Sequence, residues 1–146
     1  MRILLINGPN LNLLGTRQPE VYGHDTLDDI VAKVQSRARE LAAEVTAMQS
    51  NHEGAIIDFI QQHQAAADGM IINPGAFGHY SYAIRDAIAG SSLTTVEVHI
   101  SNVHAREHFR ERSMLSGVCK GVIVGLGWRG YLYALDLLVE SAKEGE

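Results

Sequence analysis

Three stretches of this 146-residue chain place amide, imidazole, carboxylate and phenol groups where strands are predicted to end. They are a loop at residues 7–24, a turn at 73–79 and a segment at 97–101. Together they offer a proton acceptor, a proton donor and hydrogen-bonding groups, which suffice for acid–base chemistry without a metal or a cofactor. We therefore predict a site for a small polar ligand, provided that the fold brings the three stretches together.

The turn at 73–79 follows a short apolar run, residues 69–72, that is typical of a buried strand. Pro74 and two glycines prevent the elements on either side from continuing through the turn. In open parallel sheets, ligands bind at the ends of such strands. The alternative is an ordinary strand-to-helix turn in which Asn73 and His79 only form local hydrogen bonds.

The fourth predicted strand, residues 94–102, carries polar side chains near its end. Strand alternation puts Glu97, His99 and Ser101 on one face and aliphatic side chains on the other. Parallel strands covered on both faces are usually apolar throughout, so a Glu and a His here indicate a functional site. The alternative is an edge strand with one solvated face.

The loop at 7–24 is long for a compact domain, and long loops are often functional. With the other stretches and Arg110 it predicts a pocket that suits a small polyhydroxylated carboxylate, since arginines accompany amides, hydroxyls and a phenol. The predicted lining is Asn10, Arg17, Tyr22, Asn73, His79, Glu97, His99, Ser101 and Arg110.

Apolar runs and helical periodicity alternate along the chain. The predicted strands are 2–6, 44–48, 69–72, 94–102 and 118–124. Helices are predicted after a cap at Asp25 or Thr26, after a cap at 50–53, and over 80–88, 104–112 and 128–143. This alternation predicts one α/β domain over residues 1–146, a flavodoxin-like three-layer sandwich with a parallel sheet of order 2-1-3-4-5. In that order, the ends of strands one, three and four are neighbours.

Composition excludes several other classes of protein. The net charge is −5 and basic residues are scattered, which argues against a nucleic-acid partner. No apolar stretch is long enough to span a membrane, and the N-terminal run is too short for a signal peptide, so a cytoplasmic location is predicted. The single cysteine, Cys119, excludes an internal disulfide, and its apolar neighbours predict a buried, unreactive thiol.

Other motifs are given structural interpretations. The glycine-rich segment 125–130 matches a dinucleotide fingerprint, but no later strand supplies a ribose-binding acid, so a tight turn is predicted. His104 and His108 have zinc-ligand spacing, but arginines surround them and a further ligand is missing, so no metal site is predicted. Tyr80 and Tyr82 could be rival bases, but their place at a helix start predicts a packing role.

The three stretches together resemble the type II 3-dehydroquinate dehydratases, and the likeness covers nearly the whole chain. The only notable departure is at Gln18, a peripheral position where Glu is more usual. The first motif is matched by residues 7–15 with Arg17, Pro19, Glu20, Tyr22 and Gly23, the second by residues 73–76 with His79, and the third by residues 97–102 with Arg106, Glu107, Phe109 and Arg110.

The resemblance implies a cofactor-free enzyme of the shikimate or quinate pathway, assembled as a homododecamer of trimers. It implies anti elimination of water from 3-dehydroquinate, giving 3-dehydroshikimate through an enolate. The resemblance implies that Tyr22 is the base and His99 the general acid, that Arg17 stabilises the transition state, and that Asn10 contacts the water or enolate oxygen. Glu97 would support these residues. The implied substrate-binding residues are Asn73, His79, Ile100, Ser101 and Arg110, with Asp86 from a neighbouring subunit.

This assignment is chemically reasonable because a proton next to a ketone is only weakly acidic and needs a strong base such as a phenolate. A cation about 4 Å from a phenol favours its charged form, and Arg17 and Arg110 could provide one for Tyr22. The glycine- and proline-containing loop could also close over substrate. The alternative is a non-catalytic flavodoxin-like domain that binds a small sugar acid or nucleotide, in which Glu97 and His99 would have no chemical role.

Overall fold

The computed structural model describes residues 1–16 and 18–145, and in these residues five parallel strands form one sheet. The strand order is β2-β1-β3-β4-β5, which confirms the predicted flavodoxin-like order. The strands are β1 (Arg2–Asn7), β2 (Glu44–Gln49), β3 (Gly69–Asn73), β4 (Thr94–His99) and β5 (Gly121–Val124). The helices are α1 (Pro19–Tyr22), α2 (Leu27–Glu40), α3 (Glu53–His63), α4 (Tyr82–Ser91) and α5 (Arg129–Glu144).

Helices cover both faces of the sheet, so the predicted three-layer sandwich is confirmed. Successive side chains of a strand point to opposite faces. On β1, Ile3 and Leu5 therefore enter a core shared with α2 and α5, while Leu4 and Ile6 enter a second core shared with α3 and α4. All four side chains are fully buried.

The strand register brings the polar stretches to one edge of the sheet. Asn7 at the end of β1 pairs with Asn73 at the end of β3, and Ile72 pairs with Glu97 on β4. The first loop and the turn after β3 also touch closely: Gly8 N donates to Asn73 O at 2.8 Å. A Cβ atom on Gly8 would lie 2.3 Å from Pro74 O, so a glycine is required at this crossing.

The helix predicted at 104–112 is wrong. This segment forms two short 3-10 turns, Val103–Ala105 and His108–Glu111, separated by extended backbone at Arg106 and Glu107. The segment carries no apolar stripe for a helix to bury, so tertiary contacts determine its path. The break is important for the pocket because it turns Arg106 towards it.

The starts of three other elements can be compared with their predicted starts. Helix α3 begins at Glu53, within the segment 50–53 predicted to cap it, but His52 provides no side-chain cap, and Ser50 Oγ accepts a hydrogen bond from His52 N. A capping box at Thr26 and Asp29 does begin α2. Strand β5 begins at Gly121 because residues 116–118 form a 3-10 turn.

One further expectation is only partly met, and one alternative is excluded. The ring of Tyr80 meets Phe77 edge to face, but Tyr80 and Tyr82 are 59% and 69% exposed and so contribute little to the core. The edge-strand alternative for β4 is excluded, because β4 lies between β3 and β5 and is buried from Thr95 to His99. Across the described residues, no helix is long and apolar enough to cross a membrane.

Candidate active site

The strand ends surround a cavity of about 140 Å³. Most of the predicted pocket residues line it, together with Arg106, to which the sequence analysis gave no role. Arg17 lies outside the described residues, Glu97 sits behind the lining, and Asp86 is elsewhere. The lining is Pro9, Asn10, Leu11, Tyr22, Asn73, Gly75, Ala76, His79, His99, Ile100, Ser101, Val103, Arg106 and Arg110.

The imidazole of His99 is held by a buried carboxylate. His99 Nε2 lies 2.5 Å from Glu97 Oε2, and Glu97 has no exposed surface. Burial alone would raise the pKa of Glu97. The hydrogen bond and charge of His99, with the hydroxyls of Ser116 and Ser113, outweigh burial and lower the pKa below its usual range. Glu97 is therefore an ionised carboxylate that accepts a hydrogen bond from the imidazole of His99.

The phenol of Tyr22 is held by an arginine. Arg106 Nη1 donates to Tyr22 Oη at 2.7 Å and to Ser101 Oγ at 3.1 Å. The guanidinium also lies 5.1 Å from the centre of the Tyr22 ring. Arg106 thus connects the first loop to the end of β4, and it is a cation beside a candidate base.

Asn73 is oriented from within the protein core. Its Oδ1 accepts from Gly75 N at 3.2 Å, and its Nδ2 donates to Tyr131 Oη at 2.9 Å. Tyr131 Oη in turn donates to Asn7 Oδ1 at 2.7 Å. Burial raises the pKa of the Tyr131 phenol, so this side chain is a neutral hydrogen-bonding group and no rival to Tyr22 as a base.

Asn10 is placed by strained backbone and by a second loop. Its φ is +68°, a left-handed conformation that asparagine tolerates better than most residues. Its backbone N–H donates to Asn51 Oδ1 at 3.0 Å. Asn51 therefore positions Asn10, whereas the sequence suggested that it belonged to a helix cap.

The remaining ligand-facing groups come from the turn after β3 and from the segment after β4. His79 Nδ1 lies 2.8 Å from Arg112 O, so this nitrogen carries a proton. Arg110 forms an ion pair with Glu107 at 3.0 Å. The pocket thus contains cationic and hydrogen-bonding groups suited to a carboxylate and several hydroxyls.

Two other sequence features, Asp86 and Cys119, are absent from the pocket lining. Asp86 is exposed on α4, beside Ile57, Gln61 and Gly90, and its own chain's pocket is on another surface. Burial, with the charge of Glu97 as a smaller cause, raises the pKa of Cys119 to about 12, which fits an unreactive thiol.

The histidine pair considered as a metal site is absent from the pocket lining. His108 is exposed and interacts with Glu111 at 3.1 Å. In the parts of the chain that the structure describes, no group of three or more His, Cys, Asp or Glu side chains is arranged to hold a metal ion.

Several residues that were not predicted to belong to the site form hydrogen bonds with residues that were. Arg106 belongs to a motif quoted for the resemblance, but the predicted helix concealed its direction. Tyr131 was assigned only to the apolar face of the last helix. Ser113 and Ser116, which bind Glu97, had no pattern that could identify them.

A flavodoxin-like sheet with a polar pocket at its strand ends, lined by a phenol, imidazoles and guanidinium groups, defines a class of small α/β enzymes. Residues 1–139 match the family model described as dehydroquinase class II. The chain belongs to this family.

Proteins of similar sequence or structure match nearly the whole length of this chain. A 3-dehydroquinate dehydratase from Halothermothrix orenii is 55% identical over 144 residues, covering 99% of this chain and 97% of that protein. A crystal structure of a type II dehydroquinase from Butyrivibrio crossotus has a TM-score of 0.93 and 51% identity, covering 94% of this chain and 97% of that one. A more distant structure, a 3-dehydroquinate dehydratase-like protein from Bifidobacterium longum, has a TM-score of 0.71 and 28% identity, with 96% of each chain covered.

Proposed function

We propose that this chain is a hydro-lyase that removes water from 3-dehydroquinate in the shikimate or quinate pathway. One observation carries the proposal: a single pocket contains a phenol bound by a guanidinium and an imidazole bound by a buried carboxylate. Those two groups are the base and the acid that an elimination of water requires. The names of full-length relatives support this substrate.

Tyr22 acts as the base. When it accepts the proton from the carbon next to the ketone, the substrate becomes an enolate. Arg106 stabilises the negative charge on the phenolate before this transfer, since a charged donor at 2.7 Å forms a strong hydrogen bond. The role predicted for Arg17 remains a prediction, as does that of Asn10 in binding the water or the enolate oxygen.

His99 acts as the acid. The enolate electron pair reforms the ketone and creates the new carbon–carbon double bond, while the carbon–oxygen bond of the leaving hydroxyl breaks. His99 supplies the proton that converts this hydroxyl to water. For an anti elimination, the base and acid work on opposite faces of the ring, which suits groups brought by different elements, the first loop for Tyr22 and β4 for His99.

A direct assay tests this function. The product contains a double bond conjugated to the ketone, so incubation with 3-dehydroquinate should produce ultraviolet absorbance without added metal or cofactor. His63→Ala is a matched control because His63 lies on α3, remote from the pocket lining. Saturable binding of 3-dehydroquinate with no absorbance change would instead favour the non-catalytic binding domain.

We also infer that the active protein is a homo-oligomer, with a dodecamer of trimers as the proposed form. Exposure of Tyr80 and Tyr82 supports an interface near the start of α4, because large exposed aromatic side chains often lie at contacts between subunits. Asp86 on the same helix would then reach a neighbour's pocket and bind substrate there.

Mixed oligomers test the sharing of sites. Asp86→Ala and Tyr22→Phe should each impair every site of their own oligomer. Co-refolding them should create sites with both residues intact, so the activity of the mixture should exceed the mean of the parents. If mixed oligomers form and activity stays at that mean, Asp86 does not act across subunits.

A further inference from the structure

We propose that Ser113 and Ser116 are positioning residues for the acid His99, acting through Glu97. This inference rests on the proposed function, because it concerns how the acid is kept ready. Ser113 Oγ donates to Glu97 Oε1 at 2.9 Å, and Ser116 Oγ donates to the same oxygen at 2.7 Å. Neither serine lines the pocket that contains Tyr22, so we assign them a positioning role and no contact with the substrate.

The direction of the Ser113 hydrogen bond is fixed by its other partners. Its oxygen accepts from Leu115 N at 3.1 Å and from Ser116 N at 3.2 Å. A hydroxyl has one proton and two acceptor lone pairs. With both lone pairs occupied, Ser113 must direct its proton at Glu97, so Glu97 Oε1 must be an acceptor.

This arrangement selects the ionised form of Glu97. Two donors on one carboxylate oxygen stabilise the negative charge, and the pKa of Glu97 is lowered despite complete burial. An ionised carboxylate can only accept, so His99 Nε2 must donate to Oε2 across the 2.5 Å contact. His99 Nδ1 is then the nitrogen left to meet the substrate.

The protonation sequence of His99 follows from this. The acid is an imidazolium that gives its Nδ1 proton to the leaving hydroxyl, and the ring remains as the neutral tautomer with its proton on Nε2. Glu97 stays a carboxylate throughout. By keeping Glu97 ionised, the serines keep a proton on His99 Nε2 and prevent Glu97 from taking the proton that the reaction needs.

The segment that carries the serines is also joined to the turn after β3. Met114 N donates to Gly78 O at 2.7 Å, and Arg112 O accepts from His79 Nδ1 at 2.8 Å. One loop thus fixes the acid through Glu97 and a ligand-facing histidine through its backbone.

Ser116→Ala is the primary test, because Ser113→Ala also removes two hydrogen bonds from its own turn. We expect kcat to fall roughly 10-fold, as for loss of a hydrogen bond to a charged group, while KM changes less than about twofold. Ser116→Thr retains the hydroxyl and should restore kcat. Ser91→Ala is the control, since the Ser91 hydroxyl also donates one hydrogen bond, to Ile88 O at the end of α4, and Ser91 lies outside the pocket lining.

The decisive readout is coupling to His99. If Ser116 acts through the acid, Ser116→Ala should cause no further loss of kcat in a His99→Ala background. The same 10-fold loss in both backgrounds, or an unchanged kcat in Ser116→Ala itself, would overturn the proposal. A full kcat in His99→Ala alone would instead overturn the proposed role of His99, so the two failures are distinguishable.

Discussion

Two regions that are built in different ways meet at the pocket. The strand-end region, comprising Asn73, Glu97, His99 and Ser101, is at most 8% exposed, and its side chains form hydrogen bonds with buried or half-buried groups. The rim segment, residues 18–23, contains the single-turn helix α1, in which each of the residues Pro19–Tyr22 is at least partly exposed. Its backbone has positive φ at both ends, +42° at Gln18 and +85° at Gly23.

Because of this difference in burial, substitutions in the strand-end region should affect the stability of the fold, whereas substitutions in the rim segment should affect catalysis. Buried polar groups must keep their partners, so the strand-end region is rigid and sensitive to lost hydrogen bonds. The rim segment contributes little buried surface, and changes there should affect catalysis more than folding. Two tyrosines allow the same substitution to be compared in each setting: Tyr22 in the rim segment and Tyr131 beneath the strand ends.

Tyr22→Phe should have the largest effect. Without its base the enzyme should lose about 10²–10⁴-fold or more in kcat, while its free energy of unfolding should stay within roughly 0.5 kcal/mol of wild type. Steady-state kinetics and urea unfolding measure the two quantities. The matched control is Tyr133→Phe on α5, where the tyrosine is 49% exposed. Turnover near the wild-type level would contradict the assignment of the base.

Arg106→Gln should have the next largest effect, because Arg106 links the two regions. It removes the cation beside Tyr22 and the contact with Ser101, so kcat should fall by roughly 10- to 100-fold. Arg129→Gln provides a comparison, since that arginine stacks on Trp128 and lies outside the pocket lining. Equal kinetics for the two variants would show that Arg106 does not assist the base.

Tyr131→Phe should mainly reduce stability. It leaves Asn73 and Asn7 without their shared hydroxyl partner, which should cost about 1–3 kcal/mol of unfolding free energy. The effect on kcat should be far smaller than that of Tyr22→Phe. If Tyr131→Phe had unchanged stability but little turnover, the contrast between a stabilising strand-end region and a catalytic rim segment would be contradicted.

The pH dependence of stability should show the smallest effect. Because the folded pKa of Glu97 is below its usual 4.5, its ionised form contributes stability fully above that pH. This contribution is lost as pH falls through the folded pKa. The difference in unfolding free energy between wild type and Glu97→Gln should therefore narrow on acidification. Glu140→Gln, at an exposed position on α5, should show no comparable trend.

Much of the fold could be predicted because each strand has a distinct apolar run. The pattern correctly identified the sheet order and the meeting of three strand ends. It failed at 104–112, where residues favourable to a helix are overridden by contacts of the extended backbone near Arg106.

The site was less predictable wherever it depends on contacts between distant residues. Glu97 and His99 were visible because their two-residue spacing puts both on one face of β4. The partners of Glu97, however, are serines 16 and 19 positions away, and Asn10 depends on Asn51, 41 positions away. Such hydrogen bonds leave no local pattern.

The central claim is that Tyr22 removes the substrate proton and His99 releases the hydroxyl, and exchange with deuterated water tests it most directly. In His99→Ala, the base remains and the acid is missing. Deuterium should therefore enter 3-dehydroquinate next to its ketone while product formation is slow. In Tyr22→Phe, neither exchange nor product formation should occur at an appreciable rate. Continued exchange in Tyr22→Phe, or loss of exchange in His99→Ala, would contradict this division of roles.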